Sequence, residues 1–461
     1  MDLPSYDRRQ ILQRGGLGLG WLSFSALAHA ASATTPGPHF PARARRVIFL
    51  SMRGGPSHVD LWDHKPTLEK ATGQTPAQFG GAALVGAVQP LVQRGRSGLW
   101  MSPLMPHLAR HADDLCVINS MHTDVPNHAP AFVQMHTGSF QFVRPSLGAW
   151  TLYGLGSENQ NLPGFVTLNP PADNGGARNY GSAFLPSACQ GTRMGGSQIP
   201  ALYAAFLKQQ QTPGPPMKNI ANEQLSKAEQ RAQLRLIRAL GQHQQASQVA
   251  APEIDGMLHA FELAFRMQSQ VPETLDLSGE SQATLDLYGI GQGKDAFARQ
   301  CLLARRLAEA GVRFIEIAST ESWDHHTLIQ ENLAKTCGET DRPIAALLSD
   351  LKQRGLLRDT LVVWAGEFGR TPYMQGIDGR DHNHKGFSIW MAGGGVKGGH
   401  TYGATDDLGY RAVEDAMHIH DWHATVLHLL GLDHTRLRFN YGGRDFRLTE
   451  TSGQVAHGLI A

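Results

Sequence analysis

The sequence has few cysteines and almost no net charge, and each absence excludes a class of protein. Four cysteines in 461 residues cannot build a disulfide-rich scaffold, and none of them stands in the CxxC spacing of a zinc module. The 41 Lys and Arg residues nearly balance the 40 Asp and Glu residues, for a net charge of +1. Proteins that bind nucleic acid by neutralising phosphates carry a basic excess, so we expect no nucleic-acid partner.

The sequence also lacks an apolar run long enough for a good membrane span at its N-terminus. The run over residues 15–28 is short and glycine-rich, follows Arg8 and Arg9, and precedes small residues that end at Ala33. The Arg-Arg-Gln-Ile-Leu string resembles the bacterial twin-arginine export signal. We predict a signal peptide over residues 1–33, recognised by the twin-arginine export machinery, and a periplasmic or secreted mature protein without a stable membrane span. The alternative is an uncleaved lipid-facing anchor.

The remainder of the chain predicts an α/β fold. Hydrophobic residues make up 41% of the sequence, which is enough for a sizeable core. Amphipathic stretches such as AFARQCLLARRLAEA precede short apolar runs such as GVRFIEIAST, in the rhythm of a parallel sheet covered by helices. We predict a linker over residues 34–44 and one three-layer α/β/α domain over residues 45–461, with a mostly parallel sheet. A Gln-, Ala- and Leu-rich helical insert is expected over about residues 201–290.

The cysteines leave two readings open. An exported protein meets an oxidising compartment, where thiols can pair. Buried free thiols are equally consistent with the sequence. The four residues concerned are Cys116, Cys189, Cys301 and Cys337.

Histidines are concentrated in two parts of the chain. Residues 58–136 hold seven of the 22 and residues 325–434 hold ten, whereas residues 137–324 hold two. Ligands of open α/β sheets gather at the C-terminal ends of the strands. Both histidine-rich parts contain loops that follow predicted strands, so we expect them to converge on one site with nitrogen and oxygen ligands.

The loop after the first predicted strand has two readings. Ser57, His58 and Asp60 place a hydroxyl, an imidazole and a carboxylate within four residues, so Asp60 could bind a metal and His58 could act as a base. The alternative is a tight turn in which Ser57 caps a helix and Asp60 binds backbone. Further along, His128 precedes a helix, where an anionic group is favoured, or it is a surface residue of a capping loop.

Three later segments carry further candidate ligands. Asp324 and His326 follow a predicted strand and could face one divalent ion, unless this is a solvated loop. Glu367 follows another strand and could bind metal while Arg370 holds an oxyanion, unless the two form a plain ion pair. The cluster of Asp381, His382, His384 and Lys385 precedes a strand and adds two imidazoles and an ammonium group; a structural cluster is the alternative.

Together these segments resemble the bacterial exported family named domain of unknown function 1501. The matching strings are FLSMRGGPSHVDLWDHKP, NHAPAFVQMHTG, WDHH, WAGEFGRTP, GRDHNH and AGGGVKGGHTYGATD. That family in turn resembles the alkaline phosphatase and sulfatase superfamily, which implies an alkaline-phosphatase-like fold. By this resemblance His128 stands at the nucleophile position. The superfamily's metal ligands are matched by Asp324, His326, Glu367, and His382 or His384.

The sequence departs from the superfamily pattern at three positions. Met52-Arg53-Gly54 stands where relatives carry a metal-binding Asp, and Asp60 is displaced from that point. His128 has no hydroxyl or thiol, and Phe368 cannot bind a metal. The fold therefore carries over better than the phosphatase mechanism.

These observations predict a metal-dependent hydrolase of phosphate or sulfate esters, acting on a small-molecule or polysaccharide substrate. One or two divalent ions (Zn, Mn or Ca) would activate water. The expected metal ligands are Asp60, Asp324, His326, Glu367, His382 and His384. Arg370, Arg53 or Lys385 would contact the oxyanion, with His128 as ligand or acid/base and Ser57 as the remaining covalent nucleophile. The alternative is a non-catalytic exported binding or assembly protein that keeps the fold and a structural metal.

Overall fold

The computed structural model describes residues 36–195, 224–245 and 252–461. The predicted signal peptide lies outside the described residues, as do residues 34–35 of the predicted linker and residues 201–223 and 246–251 of the predicted insert. The described part of the linker has no regular secondary structure and lies against the domain, because the backbone N–H groups of Gly37 and His39 donate to the carbonyls of Gly154 and Gly431.

A nine-stranded, mostly parallel sheet forms the centre of the domain. Its spatial order is β12, β4, β11, β8, β1, β7, β5, β6, and β15 also pairs with β4. The bounds are β1 Arg46–Ser51, β4 Leu115–His122, β5 Phe165–Leu168, β6 Thr192–Met194, β7 Phe314–Ala318, β8 Thr360–Ala365, β11 Phe387–Ala392, β12 His400–Tyr402 and β15 Met417–His418. In this sheet β11 alone runs antiparallel to its neighbours, so β4, β1, β7 and β8 all point the same way.

Both faces of the sheet are covered, as the sequence predicted. Alternate residues of β1 enter different cores: Ile48 and Leu50 join one, whereas Val47 and Phe49 join the other. This alternation is the two-residue period of a strand buried on both sides. The first core includes Leu302 and Leu347 from helices, and the second includes Trp422. The domain therefore has three layers.

The helices include the predicted amphipathic stretch AFARQCLLARRLAEA as well as several that the sequence did not predict. Their bounds are α1 His58–Leu61, α2 Pro66–Lys70, α3 His128–Thr137, α4 Leu147–Leu155, α5 Lys227–Gln245, α6 Pro252–Leu275, α7 Gln282–Tyr288, α8 Ala296–Glu309, α9 Ile329–Gln353 and α10 Ile419–Leu429. The described part of the predicted insert contains α5, α6 and α7. Among the described residues, no helix has both the length and the hydropathy needed to cross a membrane.

Four small two-stranded sheets complete the fold. Their strands are β2 Val92–Arg94 with β3 Leu99–Met101, β9 Gly369–Gln375 with β10 Gly379–Asn383, β13 Ala404–Thr405 with β14 Ala412–Glu414, and β16 Phe439–Tyr441 with β17 Arg444–Phe446. The β9–β10 hairpin matters most for the site, because it carries Arg370, Arg380 and His382.

The cysteines are free. Cys116, Cys189, Cys301 and Cys337 are all buried thiols in the described structure. The sequence left open whether the thiols pair or remain free, and in the structure they are free and buried.

Candidate metal centre

Chain segments that are distant in sequence bring four ligand groups together. His128 is the first residue of α3, Asp324 and His326 lie in the loop that follows β7, and His382 lies on β10. One potential ligand atom from each residue lies within 4.8 Å of the other three. Because β4 and β7 are parallel, α3 and the β7 loop leave the same edge of the sheet, where ligands of α/β folds bind.

The Oδ1 atom of Asp324 lies at the centre of this group. It is 3.1 Å from Nε2 of His128, 2.8 Å from Nε2 of His326 and 3.4 Å from Nε2 of His382. The Nε2 atoms of His326 and His382 are 2.9 Å apart. In a tetrahedral zinc site with bonds near 2.0–2.1 Å, donor atoms lie about 3.3 Å from one another. The spacing of these four atoms is therefore close to that of a ligand set.

The other nitrogen of each imidazole faces an oxygen of the protein. Nδ1 of His128 is 2.6 Å from Oε1 of Glu367, and Nδ1 of His382 is 2.7 Å from the carbonyl of Pro126. Nδ1 of His326 contacts the side-chain oxygen of Gln375. Each partner accepts hydrogen bonds, so a neutral ring carries its proton on Nδ1 and presents the lone pair of Nε2 to the cluster. Protein acceptors orient metal-binding histidines in this way.

The donor set therefore fits a divalent transition metal. Nε2 of His128 is buried and makes no well-aligned hydrogen bond, although Asp324 is near. Three imidazole nitrogens and one carboxylate suit zinc, manganese or iron better than calcium, which takes six to eight oxygen ligands. The side chains of Asp324 and His326 are 32% and 35% exposed, so solvent reaches one side of the group.

Electrostatics favour the charged forms of Asp324 and His128. Burial raises the pKa of Asp324, but its interactions with His128, His382 and the Arg370 guanidinium outweigh burial and hold this pKa far below the usual range. Burial lowers the pKa of His128, but its interactions with Asp324 and Glu367 outweigh burial and raise the pKa to about 9. Without a cation, the His128 imidazolium would bridge two carboxylates. A metal ion would replace that proton.

Glu367 lies behind His128 and not among the four ligand groups. It is fully buried, and both of its oxygens accept from the backbone N–H of Gly54, at 3.0 and 3.1 Å, while Oε1 also accepts from His128. The carboxylate predicted as a metal ligand therefore lies outside the four-residue group and contacts one of its members, His128. Gly54 suits this contact, because its φ of +107° disfavours other residues and a Cβ there would meet the backbone N of Asp324 at 2.7 Å.

Arg370 is fully buried and serves the protein rather than an external anion. It donates to the carbonyls of Gly55, at 2.9 Å, and Arg380, at 3.1 Å, and also contacts the Gly54 carbonyl and Oδ1 of Asp324. These contacts occupy four of the five N–H groups of its guanidinium. The predicted oxyanion contact is thus replaced by a contact that holds Asp324.

Asp60 and Ser57 are engaged elsewhere. Asp60 is fully buried and receives two hydrogen bonds from the Arg380 guanidinium, at 2.8 and 3.1 Å, and one from the backbone N–H of Val88. Ser57 is 2% exposed and gives its hydroxyl hydrogen to Asp60. The structure therefore brings neither residue to the cluster, and the predicted ligand Asp60 is instead the counter-charge of a buried arginine.

His384 and Lys385 also lie outside the cluster. His384 accepts a hydrogen bond from Thr123 through its carbonyl; burial and the neighbouring ammonium of Lys385 lower the pKa of its ring. The Lys385 ammonium is 3.4 Å from the Tyr410 hydroxyl and 5.2 Å from the centroid of its ring. Between the two predicted alternatives, the structure brings His382 and not His384 into the group: His382 lies on β10, whereas His384 follows the last residue of that strand, Asn383.

Sequence reasoning missed the acceptors that orient the histidines. Gln375 ends β9, and Pro126 contributes only its carbonyl, so neither has a residue type that signals a metal site. The sequence identified Phe368 only as a departure from the superfamily pattern, and gave no indication of its contacts with the histidines. Its buried ring packs on the rings of His128 and His382, with centroids 4.9 and 4.6 Å apart.

Residues 44–460 match the model of one family, described as Protein of unknown function (DUF1501). The chain belongs to this family. Among curated proteins, no sequence matches this DUF1501 chain.

Several solved structures resemble this DUF1501 protein at low identity. The lipoteichoic acid synthase LtaP from Listeria monocytogenes is 11% identical, with 89% of this chain and 76% of that chain covered and a TM-score of 0.36. The PsFucS1 sulfatase from Pseudoalteromonas sp. is 12% identical, with 85% of this chain and 68% of that chain covered and a TM-score of 0.35. The TAB5 alkaline phosphatase is 10% identical, with 76% of this chain and 92% of that chain covered and a TM-score of 0.34.

Proposed function

We propose that this DUF1501 protein is an exported, metal-dependent hydrolase of phosphate or sulfate esters. One observation carries the proposal: three imidazole Nε2 atoms converge on Oδ1 of Asp324, while each Nδ1 faces an acceptor of the protein. Perturbed ionisable groups with a partly open side are typical of functional sites. The ligands in this proposal are His128, Asp324, His326 and His382.

The donor set narrows the choice of metal. Zinc and manganese accept imidazole together with carboxylate, whereas calcium takes mainly oxygen ligands. We therefore propose zinc or manganese. Bound there, the ion would supply Lewis-acid polarisation of an ester oxygen and a lowered pKa for water.

The chain's own residues supply orientation and charge. Glu367, Gln375 and the Pro126 carbonyl hold the three rings, and Arg370 holds Asp324. Arg53 remains as the candidate cation for an ester oxyanion. Its side chain is 22% exposed, and its guanidinium donates to the carbonyls of Ser319 and Thr320 in the loop after β7, which leaves other N–H groups for a ligand. Ser57 is buried against Asp60, so no hydroxyl nucleophile is proposed, and water attacks directly.

A second candidate is a non-catalytic exported binding protein with a structural metal. Two observations favour it. Four protein donors fill a tetrahedral ion completely, and catalytic zinc sites usually keep a position open. In addition, the Phe368 ring packs against two of the proposed ligands.

Elemental analysis of the purified mature protein, followed by turnover of aryl phosphate and aryl sulfate with added Zn²⁺ or Mn²⁺, tests both candidates. The hydrolase predicts about one equivalent of metal per chain and saturable turnover, both abolished by Asp324→Ala. The matched control is Asp445→Ala, because Asp445 is an exposed carboxylate on β17. Metal without turnover would favour the binding protein. Absence of metal from correctly folded protein would contradict both.

Export has its own test. Replacing Arg8 and Arg9 together by Lys should retain the precursor inside the cell, because twin-arginine signals are read as addresses by a receptor. Cell fractionation with detection of the uncleaved chain measures this. Unchanged export of the double variant would contradict the twin-arginine route.

A further inference from the structure

A charged pair is buried between α3 and the sheet, away from the candidate metal centre. His136, in the last turn of α3, is 3% exposed, and Glu316, in the middle of β7, is 1% exposed. Nε2 of His136 is 3.0 Å from Oε1 of Glu316, and its Nδ1 is 2.7 Å from the Phe132 carbonyl. Both ring nitrogens face acceptors, so both carry hydrogen and the ring is an imidazolium.

A small cavity adjoins this pair. Its volume is about 10 Å³, and Glu316, Asn179 and Ser146 contribute to its lining. Oε2 of Glu316 and Oδ1 of Asn179 are buried there and have no hydrogen-bond partner. The Asn179 amide nitrogen donates to the Asn174 carbonyl, at 3.0 Å, which determines the orientation of its amide group. Two acceptors that receive no hydrogen bond from the described residues therefore belong to residues that line this cavity.

The missing donor has the properties of one water molecule. A cavity of about one probe sphere, roughly 10–15 Å³, holds a single water, and buried waters bond to polar groups that would otherwise be unsatisfied. Water has two O–H donors, one for each unpaired acceptor. Buried acceptors left without a donor would destabilise the fold, since nearly all such groups are paired in native proteins.

This pair joins the two elements that carry the proposed metal ligands. His136 and His128 belong to the same helix, eight residues or about 12 Å apart along its axis. Glu316 lies on β7, which leads directly into the loop with Asp324 and His326. At its other end α3 is held by the contact of His128 with Glu367, which follows β8. The helix is thus tied to neighbouring strands at both ends.

We propose that His136, Glu316 and one buried water bridging Glu316 to Asn179 form a positioning unit that sets His128 against Asp324. Its effect on metal binding rests on the proposed function, whereas the water and the placement of α3 do not. His136 and Glu316 touch neither substrate nor metal and act only through α3 and β7.

The first test is crystallographic and needs no metal. The wild-type protein at high resolution should contain one ordered water within hydrogen-bond distance of Oε2 of Glu316 and Oδ1 of Asn179. In the His136→Ala variant, α3 should shift and lengthen the distance between Nε2 of His128 and Oδ1 of Asp324. A cavity without an ordered water would contradict the proposed water bridge. An α3 that does not move in His136→Ala would contradict the positioning role, whatever the effect on metal binding.

The second test measures the metal site itself. In His136→Ala, the metal dissociation constant should rise at least tenfold, and the visible spectrum of the Co²⁺-loaded protein should change. His136→Gln should recover much of the affinity, because its amide can still donate to Glu316. The control Thr336→Val, on α9, alters another buried polar side chain without moving α3, and should leave both readouts unchanged.

The outcomes of the two tests separate the proposals. Wild-type protein that binds no metal contradicts the proposed function, while the crystallographic test still decides the positioning unit. If wild type and the folded His136→Ala variant bind metal with the same affinity and the same Co²⁺ spectrum, the positioning unit is contradicted. The proposed function is not affected by that result. A fall in the urea midpoint without a change in the Co²⁺ spectrum would indicate a purely structural pair and would also overturn it.

Discussion

Glu367 accepts a hydrogen bond from Nδ1 of His128 over 2.6 Å, and this contact turns the other ring nitrogen towards Asp324. The same carboxylate binds the backbone N–H of Gly54 with both oxygens, so it is firmly held by the loop after β1. A residue type typical of a metal ligand thus serves to orient the ring of a candidate ligand. Similar contacts orient His326 and His382.

The orienting contact of Gln375 can be removed without disturbing the core. We expect Gln375→Leu to weaken metal binding by about 10–100-fold, because His326 loses the acceptor that sets its tautomer and ring orientation. Metal affinity, measured by competition with a chelating dye, checks this. Gln93→Leu, at an exposed position of β2, should leave the affinity unchanged. Equal affinities in the two variants would contradict the orienting role.

Asp60 should behave as a structural residue. Asp60→Asn leaves the buried Arg380 guanidinium without its counter-charge, and we expect a loss of about 3–5 kcal/mol in the free energy of unfolding. Urea denaturation measures this loss. Asp445→Asn, an exposed control on β17, should be nearly neutral. If Asp60→Asn instead removed metal at unchanged stability, Asp60 would be a ligand after all.

Position 54 requires glycine, both for its backbone conformation and for its lack of a side chain. At a φ of +107°, Gly54→Ala should cost roughly 1–3 kcal/mol in backbone strain. It should also displace the Asp324 loop, because the new Cβ would meet three atoms of residues 322–324 at 2.6–2.7 Å. We therefore expect lower stability together with weaker metal binding. Gly442→Ala has φ of +59° and open space, so it should show strain without loss of metal.

His136 predicts a loss of stability as the pH rises above about 6.5. Burial lowers the pKa of His136, but its interactions with Glu316, and more weakly Glu367, outweigh burial and raise the pKa above 6.5. The folded state thus holds the proton more tightly than the unfolded state. The resulting stabilisation is complete below about pH 6.5 and is lost as the pH rises through the raised pKa. Urea unfolding of wild type and His136→Gln across this range should reveal a difference that shrinks with rising pH; a constant difference would contradict it.

His423 predicts the opposite dependence of folding stability on pH. It is fully buried on α10, and burial, assisted by the neighbouring His420 ring, lowers its pKa to about 3. The unfolded state therefore binds the proton first, and stability is lost as the pH falls from about 6.5 towards 3. His423→Gln should be less sensitive to acid than the wild type over this interval in urea unfolding. Equal acid sensitivity would indicate that His423 is protonated in the folded protein.

The pattern of apolar residues was a reliable guide to the elements of the fold. The first predicted strand, which precedes the Ser57 loop, is β1, and the strand predicted from GVRFIEIAST contains β7, because buried parallel strands are continuous apolar runs of limited length. Amphipathic spacing likewise marked α8. These signals are local, so a single sequence carries them.

The candidate site was only partly predictable. Asp324, His326 and His382 were predicted as metal ligands, and the structure brings them together with His128, for which the sequence left the role of ligand or acid/base open. Asp60 and Glu367 were equally plausible metal ligands, because both are carboxylates near the ends of predicted strands. Nothing in their local sequence indicates that one would be paired with an arginine and the other turned behind a histidine.

By itself, the sequence determined several central strands, the helix before β7 and the segments that supply polar side chains to the site, because backbone preference and the period of burial are properties of short stretches of chain. Tertiary structure alone decided which of those side chains meet. The partner that occupies Asp60 is Arg380, 320 residues away. Whether a carboxylate binds a cation, an arginine or an imidazole depends on which oppositely charged or donating group packing brings within about 3 Å, and that distance exists only in the folded chain.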